Sequence, residues 1–203
     1  MSGAPLIAAL LLAAGRGARF GASANKLLAD FDGRPLIRRA AEAALASRLR
    51  RVIVVTGHQR VEIEAALAGL PLSFVPNPDF SRGLASSLRR GLTAAGDAEG
   101  VIVLLGDMPA VSPRLIDALV SAFEKAPGAA AVVPVRGGRR GNPALLARRL
   151  FPALAALEGD EGARRLLRET DGVVELPVED DAVLADVDTP ADLARLRETI
   201  RRS

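Results

Sequence analysis

The chain of 203 residues contains no cysteine, tryptophan or tyrosine, one histidine and two lysines, Lys26 and Lys125. Without cysteine there are no disulfides, no thiolate metal site and no thiol nucleophile; a cytoplasmic protein is expected. With His58 as the lone imidazole, no Ser-His-Asp set can be assembled, and a structural role for His58 is the simpler reading. Six phenylalanines are the only aromatics, too few for a base-stacking platform. The net charge is +3, with acidic and basic residues interleaved, so no nucleic-acid partner is expected. The pI near 10.4 follows from having almost nothing to titrate between neutrality and the arginine range. No apolar run reaches the roughly 18–20 residues of a membrane span, and the first run lacks the basic segment of a signal peptide. No membrane association is expected.

What the chain has is strand-helix alternation. Leu6–Ala14, Arg51–Thr56 and Val101–Leu105 read as buried strands, the first a continuous apolar run and the second β-branched, and Leu72–Val75 and Ala129–Val135 read as further strands. Helical spacing covers Pro35–Ser47, Val61–Ala68, Gly83–Ala95 and a segment from Pro113, with Ser112 as its cap. Arg136–Asn142 reads as a Gly/Arg loop. Helices are expected at Ala144–Ala156 and Glu161–Thr170, strands at Val173–Leu176 and Ala182–Ala185, and a last helix at Pro190–Arg201. Continuously apolar strands between helices predict an α/β fold, a mostly parallel sheet flanked by helices on both faces. Ligands of such sheets sit at the carboxyl ends of the strands. There lie Gly15–Arg19, Thr56-Gly57-His58 and Gly106–Pro109.

Gly15-Arg16-Gly17-Ala18-Arg19 suits a turn whose backbone N–H groups approach a polyphosphate, with Arg16, Arg19 and Lys26 as counter-charge. It is neither a P-loop nor a dinucleotide fingerprint, because position 20 is phenylalanine. Lys26 stands out in a chain that otherwise uses arginine, which points to a need for a compact point charge. Asp107, after an apolar strand, is placed to hold a divalent cation beside phosphate oxygens. Asp186 and Asp188 alternate on an extended segment; either is a candidate second carboxylate, although a residue just before Pro190 also suits a helix cap.

The ordered set Leu12-Ala13-Ala14-Gly15-x-Gly17-x-Arg19-Phe20-Gly21, Asn25-Lys26-Leu27-Leu28, Gly106-Asp107-Met108-Pro109 and Asp186-Val187-Asp188-Thr189-Pro190 resembles the MobA-like NTP transferases. Within that family it looks most like the molybdenum cofactor cytidylyltransferases. Gly141-Asn142-Pro143 and Gly159–Arg164 fit that branch too.

The resemblance implies a Rossmann-like nucleotidyltransferase fold over 1–203, with a nucleotide-binding half at about 1–110 and an acceptor-binding half at about 111–203. It implies transfer of CMP from CTP to the terminal phosphate of molybdopterin with release of pyrophosphate, Mg²⁺ or Mn²⁺ as cofactor, and a molybdoenzyme as recipient. Arg19, Lys26 and Asp107 would be catalytic, and Asp107 and Asp188 would hold the metal, with Asp186 as the alternative. Ala13, Ala14, Gly15, Arg16, Gly17, Arg19, Lys26, Thr56, Gly57, Ser87 and Gly106 would bind nucleotide. Gly141, Asn142 and Arg164 would bind the acceptor, with Arg139 and Arg140 beside them. Ala14, where the guanylyl branch carries glycine, favours a pyrimidine. A guanylyltransferase, another phosphate-acceptor nucleotidyltransferase and a non-catalytic molybdopterin carrier remain as alternatives.

Overall fold

The computed structural model describes residues 5–17, 20 and 25–202. The chain opens with β1 (Ile7–Ala13), every residue of which is buried. A 3-10 turn at Lys26–Leu28 and a small antiparallel hairpin, β2 (Asp30–Phe31) and β3 (Arg34–Pro35), lead into α1 (Leu36–Ala46). Then come β4 (Arg51–Thr56), α2 (Arg60–Ala66), β5 (Ser73–Pro76), α3 (Leu84–Ala95) and β6 (Gly100–Leu105). The second part holds α4 (Pro113–Glu124), β7 (Ala131–Arg136), β8 (Arg139–Arg140), β9 (Ala144–Ala147), α5 (Phe151–Ala155), α6 (Ala163–Arg168), β10 (Val173–Pro177) and α7 (Pro190–Arg202). Ser112 caps α4 by accepting from the Leu115 N–H at 3.2 Å.

The main sheet runs β10-β7-β9-β6-β1-β4-β5, with β8 paired to β7. Pairings β1–β4, β1–β6, β4–β5 and β7–β10 are parallel; β9 is antiparallel to both its neighbours. Strand pleating sorts side chains by parity. Ile7, Ala9 and Leu11 join one core with Ile37, Ala41, Ile63 and Ile116. Ala8 and Leu10 join the other with Leu88, Leu92, Leu154 and Leu167. Helices therefore cover both faces: α1, α2 and α4 on one, α3, α5 and α6 on the other. This is the mostly parallel, two-sided α/β sheet that the alternation predicts, in the Rossmann-like arrangement that the resemblance implies. Among the described residues no helix is long and apolar enough to cross a membrane.

Three elements differ from the sequence reading. Ala144–Ala147 is strand β9, and only Phe151–Ala155 of the expected helix is α-helical. Alanine and leucine favour helices by propensity. Here all four residues are buried in a slot between β6 and β7, where both edges need hydrogen-bond partners, and tertiary context prevails. Ala182–Ala185 is not a strand. Asp181–Leu184 forms a 3-10 turn, capped by the Asp180 side chain accepting from the Ala182 N–H at 2.9 Å. The Arg136–Asn142 loop contains β8, folded back through Gly137 and Gly138, both at positive φ.

Candidate active site

The chain lays β1, β4 and β5 outward in one direction, then returns to place β6 on the other side of β1. The order reverses between β1 and β6, which is where such sheets open a crevice. Leu12 lies in register with Leu105, so the glycine turn after β1 and the Gly106-Asp107 loop after β6 are neighbours. A cleft of about 580 Å³ opens between them.

Its floor is charged. Lys26 is presented by the 3-10 turn, which buried Asn25 caps by accepting from the Leu27 N–H at 3.0 Å. The Lys26 ammonium donates to Asp107 Oδ2 at 2.5 Å and to Asp188 Oδ1 at 2.9 Å. The three side chains are 15%, 15% and 23% exposed. Burial pulls the lysine pKa down by desolvating the ammonium, but the Asp107 and Asp188 carboxylates outweigh that and hold it above its ordinary 10.5.

Asp188 owes its position to its neighbours. Val187 is buried beside Phe31, Leu36 and Leu193, and its N–H donates to the Asp107 carbonyl at 2.9 Å. The capping of α7 falls to Thr189. Its N–H and hydroxyl donate to Asp192 Oδ2 at 2.8 and 2.7 Å, while the Asp192 N–H returns a bond to Thr189 Oγ1 at 3.2 Å. This reciprocal capping leaves the Asp188 carboxylate to the cleft. Asp186 is exposed and lines a different cavity.

Several glycines are packing devices. A Cβ on Gly57 would lie 2.7 Å from Phe80 Cβ and 2.9 Å from the Ala14 carbonyl; one on Gly106 would lie 2.7 Å from Ile37 Cδ1. Gly15 is the opposite, since a Cβ there meets nothing within 4 Å. Gly17, at φ +59°, lies against the Lys26 stem.

Of the residues singled out in the sequence, Ala14, Gly15, Arg16, Gly17, Lys26, Ser87, Gly106, Asp107 and Asp188 line this cleft. Ala13, Thr56 and Gly57 do not. Thr56 is buried with its hydroxyl toward Glu64 at 3.4 Å, and Gly57 supports Ala14 from behind. Ala14 is only 2% exposed. Ser87 is buried, and its hydroxyl accepts from Asn77 Nδ2 at 3.0 Å. Arg19 lies outside the described residues. His58 is not on the cleft wall; its ring lies 6.0 Å from that of Phe80.

The cleft also has walls to which the sequence reading gives no role. Phe80 is one, with the Arg16 guanidinium 5.7 Å from its ring centroid. Leu84 and Asp160 are others, and Asp160 Oδ1 accepts from the Leu84 N–H at 3.3 Å. Phe80 follows the carboxyl end of β5, so the strand-end rule applied to that strand would have found it.

Gly141, Asn142 and Arg164 line an adjoining apolar cavity of about 320 Å³, which shares Leu12, Leu84 and Leu105 with the cleft. Beyond it a cavity of about 620 Å³ carries Arg139, Arg140, Arg164 and Arg168 against Glu175 and Asp186. Arg140 is paired to Glu175 at 2.8 Å.

The donor set suits a divalent cation. Asp107 Oδ1 is buried without a hydrogen-bond partner, an acceptor waiting for a positive charge. Its other oxygen already shares a cation with Asp188. Two carboxylates completed by substrate phosphates match how Mg²⁺ is commonly held.

Comparison with known proteins shows the family and the fold. The profile of the MobA-like NTP transferase domain matches residues 9–174. Nicotine blue oxidoreductase of Paenarthrobacter nicotinovorans is 33% identical over 95% of this chain and 97% of its own. Purine catabolism protein PucB of Bacillus subtilis is 31% identical over 97% and 98%. Among solved structures, Rv0371c of Mycobacterium tuberculosis is 29% identical with a TM-score of 0.86, covering 97% of this chain and 100% of that one. Its complex with manganese superposes with a TM-score of 0.81, at 28% identity over 96% and 99%.

Proposed function

The chain belongs to the MobA-like NTP transferase family, and on that premise we propose that it transfers CMP from CTP to the terminal phosphate of molybdopterin. A phosphate oxygen of the acceptor attacks the α-phosphorus of CTP; the bond from that phosphorus to the bridging oxygen breaks, and pyrophosphate leaves. The second pKa of a phosphate monoester is about 6, so the nucleophile is already mostly dianionic at neutral pH. No general base is required, which suits a cleft without histidine on its wall.

The work left to the protein is placement and charge. Asp107 and Asp188 would hold Mg²⁺, which supplies charge neutralisation and a template for in-line displacement. Lys26 and Arg16 would take the outer phosphates, with Arg19 as their partner, while the glycine turn offers backbone N–H groups. Phe80 and Leu84 would border the nucleoside. The acceptor would enter from the far half of the chain. Its planar body fits the apolar cavity at Gly141 and Asn142, and its negative charge fits the arginines at 139, 140, 164 and 168.

The observation that carries this reading is the Lys26–Asp107–Asp188 set at the point where strand order reverses. A pure carrier of molybdopterin has no use for it. The oxidoreductase named among the relatives is similar in sequence over nearly its whole length, but the paired carboxylates favour phosphate chemistry here. In this reading the protein acts in the cytoplasm and its product passes to a molybdoenzyme. Calorimetry with CTP, GTP, ATP and UTP, with and without Mg²⁺, tests it. Mg²⁺-dependent binding of CTP alone is expected; a preference for GTP moves the protein to the guanylyl branch.

A further inference from the structure

Lys26 is one of two lysines in a chain that otherwise uses arginine, and the structure shows where it rests: between the two carboxylates that suit a metal. We propose, resting on the nucleotidyl-transfer reading, that Lys26 is a built-in placeholder cation. Its ammonium and a divalent ion compete for Asp107 and Asp188, so the metal settles in the site together with the triphosphate that draws the lysine away.

The argument is one of charge. The two carboxylates are mostly withdrawn from water, and their repulsion needs a positive partner. The Lys26 ammonium is such a partner to both. A divalent ion arriving on the same oxygens meets that ammonium at contact range, in surroundings that screen poorly. The lysine must therefore leave or the ion must bind weakly.

The geometry provides the exit. A Cβ on Gly17 would lie 3.0 Å from Lys26 Cγ, so the lysine stem runs along the glycine turn suited to phosphates. The ammonium sits at the end of that flexible stem, so side-chain rotation is the motion that would carry it from the carboxylates toward the turn.

The residue type fits as well. A guanidinium would grip a carboxylate through a planar two-point fork, whereas an ammonium on a flexible stem is a movable point charge. The unpartnered Asp107 Oδ1 leaves a contact for the incoming ion while Oδ2 still holds the lysine.

Two measurements on the full chain test this without nucleotide. The first is Mn²⁺ binding, followed by electron paramagnetic resonance, to the wild type and to Lys26→Met. The variant is expected to bind about tenfold or more tightly, the direction set by removing one opposing charge at contact. Binding no tighter than wild type, or no binding by either protein, overturns the proposal.

The second keeps the native sequence. Amine acetylation is read by peptide mass spectrometry, with exposed Lys125 as internal control. Mn²⁺ is expected to raise labelling of Lys26 relative to Lys125 as it displaces the ammonium. An unchanged ratio at saturating Mn²⁺ overturns the proposal. A failure of the cytidylyl reading appears in the nucleotide calorimetry instead, so the two failures are distinguishable.

Discussion

The backbone N–H of Val187 donates to the carbonyl of Asp107 over 2.9 Å. The two segments that bear the paired carboxylates are thus joined through the main chain, 80 positions apart by number, before their side chains meet at Lys26. The Val187 side chain anchors the far segment in its own apolar cluster with Phe31, Leu36 and Leu193.

Val187→Ala should therefore act twice. Removing two buried methyl groups leaves a void and should cost about 1–3 kcal/mol of stability, read by urea unfolding. Turnover should fall by more than this loss accounts for under conditions where the variant is fully folded, because Asp188 loses its fixed approach to Lys26. Full turnover in the folded variant would separate the anchor from the chemistry.

Asp186 and Asp188 look alike in the sequence and differ in place. Asp188→Ala should lower turnover about 100-fold or more, the usual scale for losing a transition-state charge contact. Asp107→Ala should abolish it, and Lys26→Ala should lower it by a similar factor of at least about 100. Asp186→Ala, which alters only the arginine-lined cavity, should leave turnover at saturating acceptor within a few-fold of wild type. Steady-state kinetics on the four variants decides the pairing.

Gly57 and Gly15 make a second contrast. Gly57→Ala forces a Cβ to within 2.9 Å of the Ala14 carbonyl and 2.7 Å of Phe80 Cβ, and should destabilise the fold by about 1–3 kcal/mol as an overpacked site. Gly15→Ala meets nothing and should keep the wild-type Tm. Its effect should be on nucleotide affinity, since the methyl stands where phosphate would approach the main chain. Thermal unfolding and calorimetry on the pair separate packing from binding.

Asp192 gives a pH prediction. The hydrogen bond from the Thr189 hydroxyl is the largest influence on its carboxyl; burial, next in size, opposes it, and the backbone N–H of Thr189, the Arg195 side chain and the backbone N–H of Asp188 tip the balance to hold the pKa below the ordinary 3.8. A depressed folded-state pKa contributes stability that is present above the unfolded value and lost as pH falls through the folded one. The Tm difference between wild type and Asp192→Asn should therefore stay constant above about pH 5 and shrink below 3.8. Thermal scans across acid pH check it.

How far the sequence reveals the molecule depends on what each segment answers to. Ile7–Ala13, Arg51–Thr56 and Gly100–Leu105 are legible because fully buried parallel strands must be apolar on both faces. Leu36–Ala46 and Pro113–Glu124 are legible because their starts carry local signals in Pro35 and Ser112. Ala144–Ala147 is not, since its strand state comes from two neighbours distant in sequence, and its composition points to a helix. The site divides the same way. Gly15, Gly17, Lys26 and Asp107 stand at strand ends or beside an obvious turn. Thr56 and Gly57 share that placement yet serve as backing, a distinction only side-chain direction can make. Phe80 reaches the cleft from a segment with no local signature beyond its position, whereas Asp160 belongs to the Gly159–Arg164 motif, whose resemblance gives that carboxylate no role of its own.

The reversed strand β9 has a consequence for how such an enzyme can change its clientele. Every other long strand of the main sheet points its carboxyl end toward the cleft, while β9 begins there, with Gly141 and Asn142 at its start. One inverted ribbon thus delivers an entry segment, rather than an exit loop, to the working edge. On the nucleotidyl-transfer reading, changes in the exposed turn at Gly137 and Gly138 would remodel what approaches the nucleotide while every parallel pair keeps its register, so that one corner of the chain can be refitted while the rest of the sheet stays as it is.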